Sequence, residues 1–178
     1  MALWVRTCHR SLRVLGLRSR AFLGHWLLRM ASKPAEKISV ILMVEDSDVV
    51  RKCFVMMLTQ PHRQILEATS CKAALILAAA TPRIDMLIVD LTLPDGFGTA
   101  ILCDLKARFP DIGVIITSGT PISHWPEPAR LEAARWPDGS WQWLAKPFKS
   151  SFLVEMVQVF LDEAPKTIRA KILSPPAP

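Results

Sequence analysis

The stretch LIVDLTLPDGFG, residues 87–98, decides the fold. With Met86 before it, the stretch opens as an unbroken apolar run and ends on a carboxylate, Asp90. It then passes into a turn holding Pro94, Asp95 and Gly98. A run of strand length without polar alternation is buried on both faces, as strands of a parallel sheet are. Val40 to Val44 on one side and Ile112 to Thr117 on the other are runs of the same kind. Gln64 to Ala68 (QILEA) and Trp141 to Ala145 read as two further strands.

Helical spacing fills the intervals. Val50, Cys53, Phe54, Met57 and Leu58 form the first apolar stripe. Ser70 caps a second helix through Ala73, Ala74, Ile76 and Leu77 to about Ala80, before Pro82. Ile101, Leu102, Leu105 and Phe109 mark a third, ended by Pro110. Pro121, Pro126 and Pro128 delay the fourth to about Ala129–Arg135 and keep it short. Phe152, Leu153, Met156, Val157, Phe160 and Leu161 give the fifth its apolar face. Five strand–helix units predict an α/β chain. The expected fold is flavodoxin-like and doubly wound, a five-stranded parallel sheet of order 2-1-3-4-5 with a shortened, irregular fourth helix.

The charge is unevenly spread. Of 22 Lys and Arg, seven lie in residues 1–33 (Arg6, Arg10, Arg13, Arg18, Arg20, Arg29 and Lys33), where no acid occurs. The remainder sets 15 basic against 16 acidic residues, so the pI near 9.5 is no argument for a nucleic-acid groove. We expect a folded domain over residues 36–165, a basic leader over 1–30 and a disordered Pro-rich tail over 166–178. Three readings of the leader are open: a transit peptide, a membrane-surface segment, or a spurious extension with translation starting at Met30. The ordinary polar start MASKP at 30–34 favours the last. No uncharged apolar run reaches membrane-spanning length. Cys8, Cys53, Cys71 and Cys103 form no CxxC pair, which suggests free, mostly buried thiols in a reducing cytoplasm.

Ligands of such sheets bind beyond the carboxyl ends of the strands. There the first strand ends in Glu45 and Asp46, the third in Asp90, and the fourth in Thr117 and Ser118, while the fifth runs into Lys146. Three converging carboxylates repel one another unless a cation sits among them. Hard oxygen donors with few neighbours suit Mg²⁺. Lys146 supplies a fixed positive charge and Ser118 a hydroxyl, suited to the oxygens of a phosphoryl group. Asp90, the central carboxylate, is the natural nucleophile.

ILMVEDSD (41–48), LIVDLTLPDGFG (87–98), VIITSG (114–119) and LAKPF (144–148) resemble the signature segments of CheY-like response-regulator receiver domains, in order and spacing. The likeness spans about residues 38–163. It implies a stand-alone receiver of a bacterial two-component system or phosphorelay. Such a receiver takes phosphoryl from a histidine kinase or histidine phosphotransfer protein and acts on a downstream protein. By this resemblance Glu45 and Asp46 organise Mg²⁺, Asp90 is phosphorylated, and the backbone carbonyl of Thr92 is a further ligand. Pro94 and Gly98 belong to the turn after the site. Ser118 contacts the phosphoryl group, with Thr117 taken as the last strand residue. Lys146 is the site lysine, and its bond to Pro147 is cis. Trp143 stands where the family carries its switch aromatic, often Tyr or Phe, and is bulky for that role.

Two other functions fit part of this pattern. A haloacid-dehalogenase-type phosphatase also uses an aspartate after a buried strand, but it wants a second Asp where this chain has Thr92. A receiver-shaped binding module working without phosphorylation is the other. Elsewhere plain structural readings hold. Asp48 is a helix-start charge, Asp95 a turn residue, and Asp85 lies at the far end of the third strand. His62 and His124 are exposed loop residues, and Trp125, Trp136 and Trp141 are packing.

Overall fold

The computed structural model describes residues 38–136 and 140–161. The expected leader, the tail and Cys8 lie outside them. Five strands form one parallel sheet: β1 (Ser39–Val44), β2 (Arg63–Ala68), β3 (Met86–Asp90), β4 (Gly113–Ser118) and β5 (Trp141–Ala145). Their order is β2-β1-β3-β4-β5, as the sequence predicts. The helices are α1 (Asp48–Leu58), α2 (Cys71–Ala80), α3 (Leu102–Arg108), α4 (Glu127–Ala134) and α5 (Ser150–Leu161).

The apolar runs form central strands because their two faces feed two separate cores. Val40, Leu42 and Val44 of β1 join Leu87 and Val89 of β3 and Val114 and Ile116 of β4, under α2, α3 and α4. The alternate residues Ile41, Met43, Met86, Ile88 and Ile115 face Phe54 and Leu58 of α1 and Leu153, Met156, Val157 and Phe160 of α5. Each fully buried aliphatic side chain contributes roughly 1.5–3 kcal/mol, so the sheet is a stiff platform for whatever its ends carry.

Local differences from expectation have local causes. Thr117 is not the last residue of β4, because Ser118 still pairs with Ala145. α4 starts at Glu127 rather than near Ala129, with Pro128 inside its first turn, where proline's missing N–H has no partner to lose. Among the described residues Cys53 and Cys103 are exposed and Cys71 is buried, so the described thiols are not mostly buried. Cys53 lies at the outer edge of its stripe, as do Ile76 on α2 and Phe152 on α5, which are 61% and 52% exposed.

Two features brace the loop after Asp90, where Thr92–Leu93 pairs with Gly96–Phe97 in a short antiparallel ribbon. Asp95 is more than a turn residue. Its carboxylate accepts the Cys71 and Lys72 N–H groups at 2.9 Å each. With the Ser70 hydroxyl accepting from Ala73, it completes the N-terminus of α2. Gly98 donates its N–H to Leu91 at 2.8 Å and packs directly on the strand end. A Cβ there would lie 2.1 Å from the Asp90 carbonyl oxygen and 2.4 Å from Val89 Cγ2.

Gly98→Ala therefore destabilises the fold by about 1–3 kcal/mol, the usual cost of overpacking, as urea unfolding would register. A near-neutral result would mean that the strand end yields easily. Asp95 gives a pH-dependent counterpart. The Lys72 and Cys71 N–H groups hold its carboxyl below the ordinary carboxylate range. A lowered folded-state value stabilises above the unfolded value and is lost as pH falls through the folded one. Asp95→Ala should thus lower Tm at neutral pH, and the gap to wild type should close in acid below that range. A gap that stays constant across that titration would remove the ionised cap from the explanation.

Candidate functional site

The carboxyl ends of β1, β3, β4 and β5 meet at one edge of the sheet. Glu45 follows β1 and is 2% exposed. Its Oε2 accepts Lys146 Nζ at 2.8 Å, and its Oε1 accepts the Ser47 N–H at 3.4 Å. Asp90 closes β3, and its Oδ2 accepts the same Lys146 Nζ at 2.9 Å. Asp46 is exposed, and its carboxylate has no protein partner among the described residues. Oxygens of Glu45, Asp46 and Asp90 all fall within 4.8 Å of one another. The predicted convergence of three carboxylates and one ammonium is what the structure holds.

Burial alone would lower the Lys146 pKa. Its bonds to Glu45 and Asp90 outweigh that, and hold the ammonium above its ordinary range. Its backbone N–H donates to the Ser118 carbonyl at 2.8 Å, so the lysine is fixed to the end of β4 as well. The Lys146–Pro147 peptide is cis, as the resemblance implied.

The two hydroxyls at the end of β4 differ. Thr117 Oγ1 is buried and donates to the Val89 carbonyl at 3.4 Å. Ser118 Oγ accepts the Thr120 N–H at 2.9 Å, in the loop that rises from the strand. Thr92 is exposed at the start of the ribbon. Pro94 is exposed in the same loop. Trp143 is half-buried against the apolar cluster under α4, and its indole N–H is enclosed without a partner among the described residues. His62 and His124 are exposed, as expected. Asp85 sits at the opposite sheet end, where it accepts the Val40 N–H at 2.9 Å.

Sequence reasoning overlooked Arg51. Its Nη1 donates to the Glu45 carbonyl at 3.1 Å, its Nε to Glu67 at 3.2 Å, and its Nη2 to Asp48. The guanidinium fork therefore ties the turn carrying the acidic pair to α1 and to β2. The signal was present. A basic residue one helical turn after the Ser47 cap lies over the end of the strand that precedes it.

Chemically, the site offers three carboxylates with hard oxygen donors, one half-buried ammonium and one hydroxyl. That set can bind a small divalent cation and neutralise an anion placed beside Asp90. Among the described residues no helix is long and apolar enough to cross a membrane.

Comparisons with known proteins agree with this geometry. The family model of the response regulator receiver domain matches residues 41–158. The KDP operon transcriptional regulatory protein KdpE of Escherichia coli (strain K12) is 31% identical over 121 residues, covering 68% of this chain and 50% of that protein. The sensor kinase CckA of Brucella abortus (strain 2308) is 31% identical over 126 residues, covering 70% of this chain and 13% of that protein. The chain thus spans half or less of the curated relatives it matches. A CheY-like receiver structure from Methanospirillum hungatei JF-1 superposes with TM-score 0.60 at 18% identity, over 71% of this chain and 96% of that one, which is a likeness of fold. With a family match over most of the folded region, and with the acidic cluster and lysine at the predicted strand ends, the chain belongs to the response regulator receiver domain family of two-component systems.

Proposed function

We propose that Asp90 accepts a phosphoryl group from a histidine kinase or histidine phosphotransfer protein, with Mg²⁺ held by Glu45, Asp46, Asp90 and the Thr92 carbonyl. The observation that carries this reading is Lys146 bonded to Glu45 and Asp90 at once, with Asp46 beside them. Three ionised carboxylates against one ammonium leave two negative charges, which a divalent cation balances. Hard carboxylate oxygens with room for water are donors that Mg²⁺ takes. When bound, Mg²⁺ would supply positive charge to the oxygens of the incoming phosphoryl group.

The chain's own residues do the rest. A carboxylate oxygen of Asp90 forms a bond to phosphorus as the P–N bond to the donor imidazole breaks, leaving an acyl phosphate. Lys146, already within hydrogen-bonding distance of Asp90, offers its ammonium to a phosphoryl oxygen, and Ser118 offers its hydroxyl. Hydrolysis reverses the state: water oxygen bonds to phosphorus, the acyl oxygen–phosphorus bond breaks, and Asp90 and inorganic phosphate are released. On this reading the chain is a signalling phosphoacceptor in the cytoplasm, not a multiple-turnover enzyme. It acts by contact with a downstream protein, or as a relay or sink for phosphate.

Incubation with acetyl phosphate and Mg²⁺, followed by intact mass measurement, tests the assignment. Wild type should gain one phosphoryl group and Asp90→Ala none. An unlabelled wild type, or equal labelling of both, would overturn it. The repulsive cluster has its own test. In EDTA, Asp46→Asn removes one of three like charges at an exposed position, which is worth about 1 kcal/mol, the water-screened value for neighbouring unit charges. Its Tm should therefore rise above wild type, and added Mg²⁺ should stabilise it less than wild type. A lower Tm for Asp46→Asn in EDTA would show that the cluster is not repulsive.

A further inference from the structure

A phosphoryl group on Asp90 must be read elsewhere in the molecule, and hydrogen bonds leading away from Ser118 indicate where. Ser118 Oγ accepts the Thr120 N–H at 2.9 Å. The carbonyl of the same Thr120 accepts the Trp125 indole N–H at 2.9 Å. Trp125 is 3% exposed, and its ring centroid lies 6.2 Å from that of Trp141 on β5. Ser118 is thus joined to a buried ring through a single residue.

The segment between them is stiff. Pro121 begins a tight turn in which the His124 N–H bonds to the Pro121 carbonyl at 2.9 Å and the Trp125 N–H to the Ile122 carbonyl at 3.1 Å. Pro126 and Pro128 follow at once and restrict the backbone on the other side. A displacement of Thr120 therefore carries to Trp125 instead of being absorbed by slack chain. Beyond it, Ala129 and Ala133 seat α4 on the same apolar cluster. Buried Thr99 donates its hydroxyl to Glu132 of α4 at 2.6 Å, next to Gly98.

Trp143 is placed differently. Its indole N–H has no partner among the described residues, so no polar bond links that side chain to Ser118 or Thr120.

We propose that Trp125, not Trp143, is the ring that reads the site. When the Ser118 hydroxyl turns towards a phosphoryl oxygen on Asp90, the Thr120 N–H loses its acceptor and Thr120 shifts. The Trp125 indole then gives up its bond to the Thr120 carbonyl and repacks against Trp141. Residues 120–126 shift with it, while α4 is held by the Thr99–Glu132 bond. This is a two-state element biased by a local charge, and it rests on the reading of Asp90 as the phosphoacceptor.

The test follows the indole N–H resonances of the full chain by NMR, with Trp125 assigned by its loss in Trp125→Phe. Acetyl phosphate and Mg²⁺ are added, and labelling is measured by mass in the same samples. Labelled wild type should show a shifted Trp125 resonance, and Asp90→Ala should show none. Compared at equal labelling, Ser118→Ala should lose the Trp125 response and Ser118→Thr, which keeps a hydroxyl, should retain it. A labelled wild type whose Trp125 resonance stays in place, or a response undiminished in Ser118→Ala, overturns the relay while leaving Asp90 as the phosphoacceptor. A wild type that takes no label overturns both.

Discussion

One ammonium group lies between two carboxylates, and the candidate site is built around it. Lys146 Nζ is 2.8 Å from Glu45 and 2.9 Å from Asp90, with Asp46 close by. Without the lysine, an almost wholly buried glutamate and an aspartate would face each other unscreened. With it, the cluster is partly compensated and still lacks positive charge. On the proposed function, that deficit makes the edge of the sheet receptive to a divalent cation, and Lys146 stands beside Asp90 to stabilise added phosphoryl charge. The lysine backbone is itself bonded to the Ser118 carbonyl, so the chain segments that carry the charge and the hydroxyl are tied together.

Such a site needs a rigid support, and the two apolar cores provide it. The residues of β1, β3 and β4 send side chains alternately to the two layers, so these strands are pinned from both sides. The polar groups at their ends inherit that precision. Around them sit three braces of different chemistry: the close approach of Gly98 to the Asp90 carbonyl, the guanidinium of Arg51 on the Glu45 carbonyl, and the carboxylate of Asp95 on α2.

What was legible in the sequence follows from this division. Strand positions could be read to within a residue because burial on both faces leaves unbroken apolar runs, as at Met86–Val89. The acidic cluster was legible because Glu45, Asp46 and Asp90 stand at the ends of such runs. What was missed is a matter of partner choice. Nothing near Asp95 announces that it will cap a helix 24 residues upstream, since that bond exists only once β3 and α2 are packed. The Arg51 bond to Glu67 likewise exists only once α1 and β2 are packed. The exposed Cys53 and Cys103 show the other limit. An apolar stripe fixes the face of a helix, but whether a residue at its margin is covered depends on what the neighbouring elements reach.

The prolines of 121–128 illustrate how a local rule and a tertiary demand combine. Read locally, they forbid a regular helix start, and the chain does make a tight turn at Ile122–His124 before α4 begins at Glu127. Read in three dimensions, the same restriction directs the buried Trp125 indole back onto the Thr120 carbonyl, two residues from the hydroxyl of Ser118. A longer, freely entered helix would not need that bond. The irregularity that shortens α4 is therefore also what connects it to the strand end where the acidic cluster and Ser118 lie.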